Sequence, residues 1–344
     1  MSKVTFLNPR TCGIYKDGGP RFKTDHKTGR RTDQIDNELI EHVEAYLAKR
    51  PAPGQATVTL ESIFGSRVLV PTYYDDRFNQ PIRDLTKRLG TNTVAIGELI
   101  DNGTIRVRGG HGSPGNDQRS GHIPYVKVSD IRGLRININP TNLVADSVAR
   151  RYWRGAESGL QAWDVVTPNR ASSNIGEFAV LLPGEERIVM TKEVFIFRVM
   201  KRDLLDAFYL LWALSLKSVR DQWRRIALMQ TNREDCGSRY REVLLPRPPS
   251  PEWAKKVSQP FRDYFTTVAS AKATFLKSIS EDSFEYVANV RSTIPLTADE
   301  TTEAEQDGDV AAQTDAEPVN GKPAQLRRAK GLKGGKHAQG SSPL

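Results

Sequence analysis

The 344-residue sequence predicts an α+β protein: a strand-rich domain carrying a long helix, then a coiled-coil-type helix, then a disordered tail. Three observations predict it. Residues 55–200 hold short β-branched and aromatic runs bounded by turn formers, with no regular βαβ alternation. Residues 203–230 and 251–289 switch to apolar spacings of three and four. From residue 297 onward there is no aromatic residue and no apolar period. The chain is therefore divided into 1–54, a small polar start; 55–250, the main domain; 251–290, a spacer helix; and 291–344, the tail.

The elements follow in order. Gly13–Lys23 reads as a hairpin around Asp17-Gly18. A short helix is expected from about Asp33, with Ile35, Leu39, Ile40, Val43 and Leu47 on one stripe, stopped by Pro51, Pro53 and Gly54. Strands are expected at Gln55–Phe64, Val94–Ile100, Thr104–Arg108, Ile123–Val128, Leu134–Ile138, Asp164–Thr167, Glu177–Leu182 and Val194–Arg198, with a helix over Arg77–Leu89. Leu205, Phe208, Trp212, Leu216, Val219, Trp223 and Ile226 predict one long helix, and residues 243–249 a short strand ended by prolines. In the last helix, from about Pro251 to Asn289, residues Val257, Phe261, Tyr264, Val268, Ala271 and Phe275 make an a/d seam that is either intramolecular packing or a partner surface. Pro260 is expected to kink or delay that helix.

Charge supplies the first functional constraint. The formal net charge is +9 and the pI about 9.5. Residues 299–317 carry eight acids and no base, and residues 322–336 six bases and no acid. The segment after Arg291 thus sums to −2, leaving +11 for residues 1–291. A domain this basic points to a polyanionic partner, because each neutralised phosphate releases counterions. Two cysteines, Cys12 and Cys236, make neither a disulfide framework nor a cysteine zinc site. The longest apolar run, near 204–216, is too short for a membrane span, and Met1–Arg10 has no signal-peptide core. The expectation is a cytoplasmic protein with no membrane partner.

Catalytic signatures are missing. There is no GxxxxGK[ST], HExxH or GxSxG, and no Asn-Pro-Pro-aromatic tetrapeptide. Gly110-His111-Gly112-Ser113-Pro114-Gly115 matches GxGxxG literally, but a polar loop and a strand follow it, where a dinucleotide site needs a helix. The glycines read instead as a mobile loop beside a DNA phosphate. No catalytic residue and no metal ligand is assigned. The candidate DNA ligands are Arg106 and Arg108 on one strand face, Ser113, Lys127, Arg132 and Arg135 around a glycine turn, Arg170, Ser172, Ser173, Asn174, and the loop Gln230, Thr231, Asn232 and Arg233. Arginine, asparagine, glutamine and serine are the side chains that bond phosphates and base edges. Arg170 carries the alternative of being the buried partner of a carboxylate such as Asp164 or Asp130. The candidate partner interface is Val257, Phe261, Tyr264, Val268 and Phe275.

The order of segments is more specific than any one of them. Val94–Ile100 is followed by Gly121-His-Ile-Pro-Tyr-Val-Lys-Val-Ser-Asp-Ile131, then Asp164-Val-Val-Thr-Pro-Asn-Arg170 with Ile175-Gly176, the Leu/Trp helix, and Leu244-Leu-Pro-Arg-Pro-Pro249. Over residues 60–290 this resembles the target-recognition domain of type I restriction specificity subunits and adenine-N6 DNA methyltransferases. Residues 10–50 look like the stretch that joins a methyltransferase core to such a domain. The departures are one recognition domain instead of two, Thr167-Pro168-Asn169 before Arg170, and the missing catalytic and methyl-donor segments. The resemblance implies a non-catalytic specificity subunit of a restriction-modification or phage-defence system. It would read duplex DNA and direct a separate adenine-N6 methyltransferase chain, with a restriction or defence subunit as a further partner. S-adenosylmethionine would bind that partner, and no cofactor this chain. The competing expectations are a metal-dependent nuclease of unrecognised type and a regulatory partner of a methyltransferase that binds no DNA.

Overall fold

The computed structural model describes residues 2–170, 174–201, 205–229, 234–281 and 284, with the backbone alone at 228–229 and 234–235. All belong to the first of two units, 1–295 and 296–344. The fold is α+β.

The chain starts with a small group of strands and short helices. Strand β1 (Lys3–Leu7) has its partner far along the chain, and a hairpin precedes that partner. The hairpin pairs β2 (Phe22–Thr24) with β3 (Arg31–Ile35). Before it, the Asp17-Gly18 turn is closed by Tyr15 N–H to Gly19 O at 2.8 Å, as its sequence predicts. Asp33 and Ile35 therefore belong to a strand, and helix α1 begins later, at Glu38–Leu47. Asn37 fixes that start, because its side chain accepts from Ile40 N–H, and Glu38 and Glu41 complement the helix dipole. Strand β4 (Gln55–Thr59) then pairs antiparallel with β1, Phe6 opposite Ala56. The expected strand to Phe64 stops at Thr59, whose hydroxyl caps α2 (Leu60–Ser66) by accepting from Ser62 N–H. After α3 (Pro71–Tyr74), Phe6 stacks on Tyr74 with ring centroids 4.6 Å apart. Asp75, 1% exposed, receives Asn8 Nδ2 at 2.7 Å and Arg77 Nη2 at 2.7 Å. Burial opposes its charge, but those hydrogen bonds outweigh burial and hold the carboxyl below its ordinary range.

Helix α4 (Gln80–Arg88) follows, separated by a 3-10 turn at Asp76–Phe78 from the expected Arg77 start. Residues 94–100 also divide: β5 (Thr93–Ala95) gives way to α5 (Ile96–Asp101), where Glu98 Oε1 accepts Ala95 N–H. Next come β6 (Ile105–Gly109), β7 (Ile123–Val126), the two-residue strands β8 (Ile131–Arg132) and β9 (Arg135–Ile136), and β10 (Leu143–Val144). Helix α6 (Asp146–Trp153), unforeseen in the sequence, buries Ala149 and Trp153. Strands β11 (Val165–Pro168), β12 (Ala179–Val180), β13 (Val189–Met190) and β14 (Val194–Val199) complete two sheets, ordered β12-β11-β14-β6 and β10-β7-β13. The first sheet is antiparallel throughout, whereas β13 pairs in parallel with β7, and a parallel bridge joins Leu134 to Ala179.

The expected single helix over 203–230 is two, α7 (Ala207–Ser215) and α8 (Lys217–Ile226). Leu216 adopts an extended conformation (ψ 129°), ending one helix and starting the other, and Ser215 Oγ turns back to Trp212 O. Helix α7 is buried almost all round and α8 on one face. A backbone hairpin, β15 (Leu228–Met229) with β16 (Glu234–Asp235), precedes β17 (Leu244–Pro246), which pairs with β5. Helix α9 (Pro251–Ser280) continues across Pro260, which is exposed, and lies along α7. Phe265 of α9 is fully buried in the main core with Trp223, Phe197 and Leu211. No helix among the described residues is long and apolar enough to cross a membrane.

Candidate nucleic-acid interface

Three loops meet at one end of the four-stranded sheet. Strand β11 leaves the sheet at Asn169-Arg170, and Thr191–Glu193 leads into β14. The register Pro168↔Val194 sets them side by side. Asn169 then locks them: its N–H donates to Glu193 O at 3.0 Å, its Nδ2 to Lys192 O at 3.2 Å, and its carbonyl accepts Cys236 N–H at 3.0 Å. That last bond ties the base of the β15–β16 hairpin to the same point. Arg170 pairs with Glu193, both partly exposed. A shallow cavity of about 230 Å³ opens between them, lined by Asn169, Arg170, Lys192, Glu193, Phe195 and Gly237. Ser113 joins this end through its hydroxyl, 3.2 Å from Thr191 Oγ1. Lys127 lies next to it, since Thr191 N–H donates to Val126 O. Its ammonium lies 6.0 Å from the Tyr125 ring, over which Arg119 also lies.

The β8–β9 hairpin rises nearby. Gly133 (φ 57°) and Leu134 (φ 67°) make its turn, a double left-handed conformation that glycine takes without strain. Arg132 and Arg135 face each other across the ladder, exposed and without an ion pair among the described residues. Asn174 does not face solvent, contrary to the expectation that it reads DNA. It is buried, and its Nδ2 donates to Val128 O at 3.1 Å and Ile131 O at 3.3 Å, clamping the root of this hairpin. A buried amide must spend its donors internally. Arg170 does have the expected kind of partner, a carboxylate, but it is the partly exposed Glu193; Asp164 is engaged with Arg198, and Asp130 accepts from Lys127 N–H. Ser172, Ser173, Gln230, Thr231, Asn232 and Arg233 lie outside the described residues.

Arg106 and Arg108 sit away from these loops. They oppose Arg198 and Ile196 on β14, which places Arg106 about 17 Å along the strand from Glu193. Arg106 is exposed. Arg108 is half-buried with both Nη atoms 3.4 Å from Ser158 O. Burial pushes its guanidinium pKa down, Asp164 opposes that, and Arg198 and Arg106 add to it. The Gly110–Gly115 loop is not a mobile phosphate cradle. A Cβ on Gly110 would lie 1.8 Å from Thr191 O, and one on Gly112 2.3 Å from the Tyr152 ring. The glycines let the backbone press against β13, with His111 N–H on Met190 O at 2.9 Å. The His111 ring is pinned too, accepting Met190 N–H at Nδ1 (2.9 Å) and donating from Nε2 to Ser158 O (2.9 Å). Burial lowers its pKa to about 4, against the Ser158 hydrogen bond and with help from Arg108.

The sequence reading missed Lys192, Glu193 and Phe195. They follow a β-branched run as an ordinary turn, and only strand pairing brings them to Arg170. No group of three metal-type side chains is gathered among the described residues.

Two further surfaces are apolar. On α1, Leu39, Ile40, Val43, Tyr46 and Leu47 are exposed on one face, while His42 and Ala45 turn inward. Ile14, Tyr15 and Ile35 of the adjoining hairpin are exposed as well. On α9 the proposed seam divides. Val257, Phe261 and Val268 pack on the chain's own core, whereas Tyr264 and Phe275 are half exposed.

No family model matches the chain, and no curated protein does. Among solved structures, it is similar to a type I restriction-modification S subunit from M. genitalium, with 12% identity over 64% of this chain and 53% of that one and a TM-score of 0.33. It is similar to the HsdS subunit from Thermoanaerobacter tengcongensis, with 14% identity over 57% of this chain and 45% of that one and a TM-score of 0.32. It is also similar to the type IIG restriction endonuclease BpuSI, with 8% identity over 60% of this chain and 30% of that one and a TM-score of 0.37. The chain spans about half the length of the two S subunits.

Proposed function

We infer that this chain is a DNA-binding specificity subunit without chemistry of its own, which directs a separate adenine-N6 methyltransferase to a duplex target. The observation that carries the reading is the meeting of Ser113, Lys127, Arg170 and Lys192 from four separate segments at one end of the sheet. The Arg132–Arg135 hairpin stands beside them on a domain of high positive charge. Phosphate contacts of this kind fix position, and base-edge contacts from the same loops specify sequence. The order of the sequence segments supports the same reading. The exposed face of α1, with Tyr264 and Phe275 on α9, suits the docking of the methyltransferase, which would bring S-adenosylmethionine. Once docked, the methyltransferase would take the target adenine out of the stack.

The test is a titration of duplex DNA with the full chain at several salt concentrations. Log affinity is expected to fall linearly with log salt, by about 0.9 per phosphate contact. Affinity that ignores salt would refute a DNA role. Co-expression with an Asn-Pro-Pro-aromatic methyltransferase is expected to yield a complex that Val43→Lys with Leu47→Lys abolishes. Retention of the complex by that variant would remove α1 as the dock.

A further inference from the structure

We propose that Arg170 and Glu193 together read one G·C base pair in the major groove, an assignment that rests on the DNA-binding reading above. The two side chains leave rigid strand ends. Asn169 fixes both backbones with its bonds to Glu193 O and Lys192 O, so the pair is presented in one geometry. Their side chains are 26% and 30% exposed, open to a ligand from the cavity they border.

The pairing leaves capacity for a ligand. It uses Arg170 Nη1 and Glu193 Oε1. Arg170 Nε and Nη2 and Glu193 Oε2 make no other hydrogen bond among the described residues. A donor fork beside an acceptor oxygen matches one base-pair edge. Guanine presents N7 and O6 as acceptors, and cytosine next to it presents the N4 donor. At an A·T pair the same arrangement sets the guanidinium against the adenine amino group and leaves the carboxylate facing the thymine carbonyl.

Glu193 is otherwise hard to explain on this surface. It borders the same cavity as Lys192, and a carboxylate facing a polyanion is repelled by it. A surface built only to hold phosphates has no use for that charge. Paired to Arg170, the carboxylate is shielded on approach and orients the guanidinium before contact. It accepts from cytosine once the base edge arrives. Lys192 is placed to take the adjoining phosphate, and the Phe195 ring, packed at 4.3 Å on Tyr240, forms the apolar wall behind.

The experiment is selection from a randomised duplex library by the full chain and by two charge- or shape-conserving variants, Arg170→Lys and Glu193→Gln. Melting and salt dependence are measured alongside. The wild-type chain is expected to enrich a motif containing a G·C pair whose preference both variants lose, by roughly tenfold to hundredfold in discrimination. The remaining positions, the melting temperature and the salt slope are expected to stay as they were. If both variants enrich the wild-type motif, or lose preference at an A·T position or at all positions, the assignment is overturned while DNA binding stands. If the wild-type chain enriches no motif, the specificity reading falls and this assignment with it.

Discussion

His111 makes the stability of the domain depend on pH in a way one substitution isolates. Its imidazole is held neutral between Met190 N–H and Ser158 O, with a pKa lowered from 6.5 to about 4. The sign follows from proton counting. Between pH 6.5 and 4 the unfolded chain binds a proton at this residue and the folded chain does not, so acid favours unfolding and stability rises with pH. The two pKa values give a loss of about 2 kcal/mol between pH 7 and pH 5. The perturbation is His111→Asn, whose Oδ1 stands near the position of Nδ1 and still accepts from Met190 without titrating. Urea unfolding of both proteins at pH 7, 6 and 5 measures the effect. The variant is expected to be less stable at pH 7, having lost the Ser158 contact, but its stability should fall less steeply toward pH 5 by about 2 kcal/mol. Parallel curves would refute the argument, because they would mean that the ring charges as readily in the folded chain as in the unfolded one.

Other consequences are as direct. Phe265→Ala, on the buried face of α9, is expected to cost about 3–5 kcal/mol in denaturant unfolding. Tyr264→Asp with Phe275→Asp, on the exposed face, is expected to leave that stability nearly unchanged and to be read in partner co-purification. Asp164→Asn leaves Arg198 without its bidentate carboxylate at 2.6 and 2.7 Å, a change expected to cost about 3–5 kcal/mol, and a melting curve checks it. Gly110→Ala forces β13 away from the loop and is expected to lower the melting temperature by several degrees, while an unshifted melt would show that the contact yields freely.

What the sequence made legible was decided by how locally each feature is determined. The Asp17-Gly18 turn, the strands at 105–109, 123–126 and 194–199, and the helical period after 207 are set by neighbours within a few residues. The errors cluster where a polar residue interrupts an apolar run. Thr59 and Glu98 look like strand or helix interior, yet both cap helices and convert the second half of an expected strand. Ile35 matches a helical stripe by spacing, but Asn37 starts the helix after it. Ser215 gives no strong stop signal, and only the extended Leu216 shows the break. The site was legible in residue type and not in destination. Arg132 and Arg135 flank a short turn, so their exposure follows from sequence. Asn174 looks the same as they do on paper, yet tertiary contacts from 128 and 131 bury it.

Pairing, more than charge, separates the arginines that hold the fold from those left for a ligand. Arg77, Arg198 and Arg225 each meet a carboxylate, Asp75, Asp164 and Glu242, and none of the three is more than one-fifth or so exposed. Two of those carboxylates are 1% exposed, so removing the cation would strand a buried charge. Such arginines cannot turn outward to meet a phosphate without unfolding what they anchor. Arg106, Arg132, Arg135, Lys127 and Lys192 make no ion pair among the described residues, and four of the five stand near the loops at the Glu193 end of the sheet. Lys127, Arg132, Arg135 and Lys192 thus make a local group of cations to which the fold gives no ion-pair partner among the described residues. An attractive field focused at one end of the sheet orients an approaching duplex before any base is touched. It also explains why Glu193 is paired there: an unshielded Glu193 would cancel part of the field that brings the DNA in.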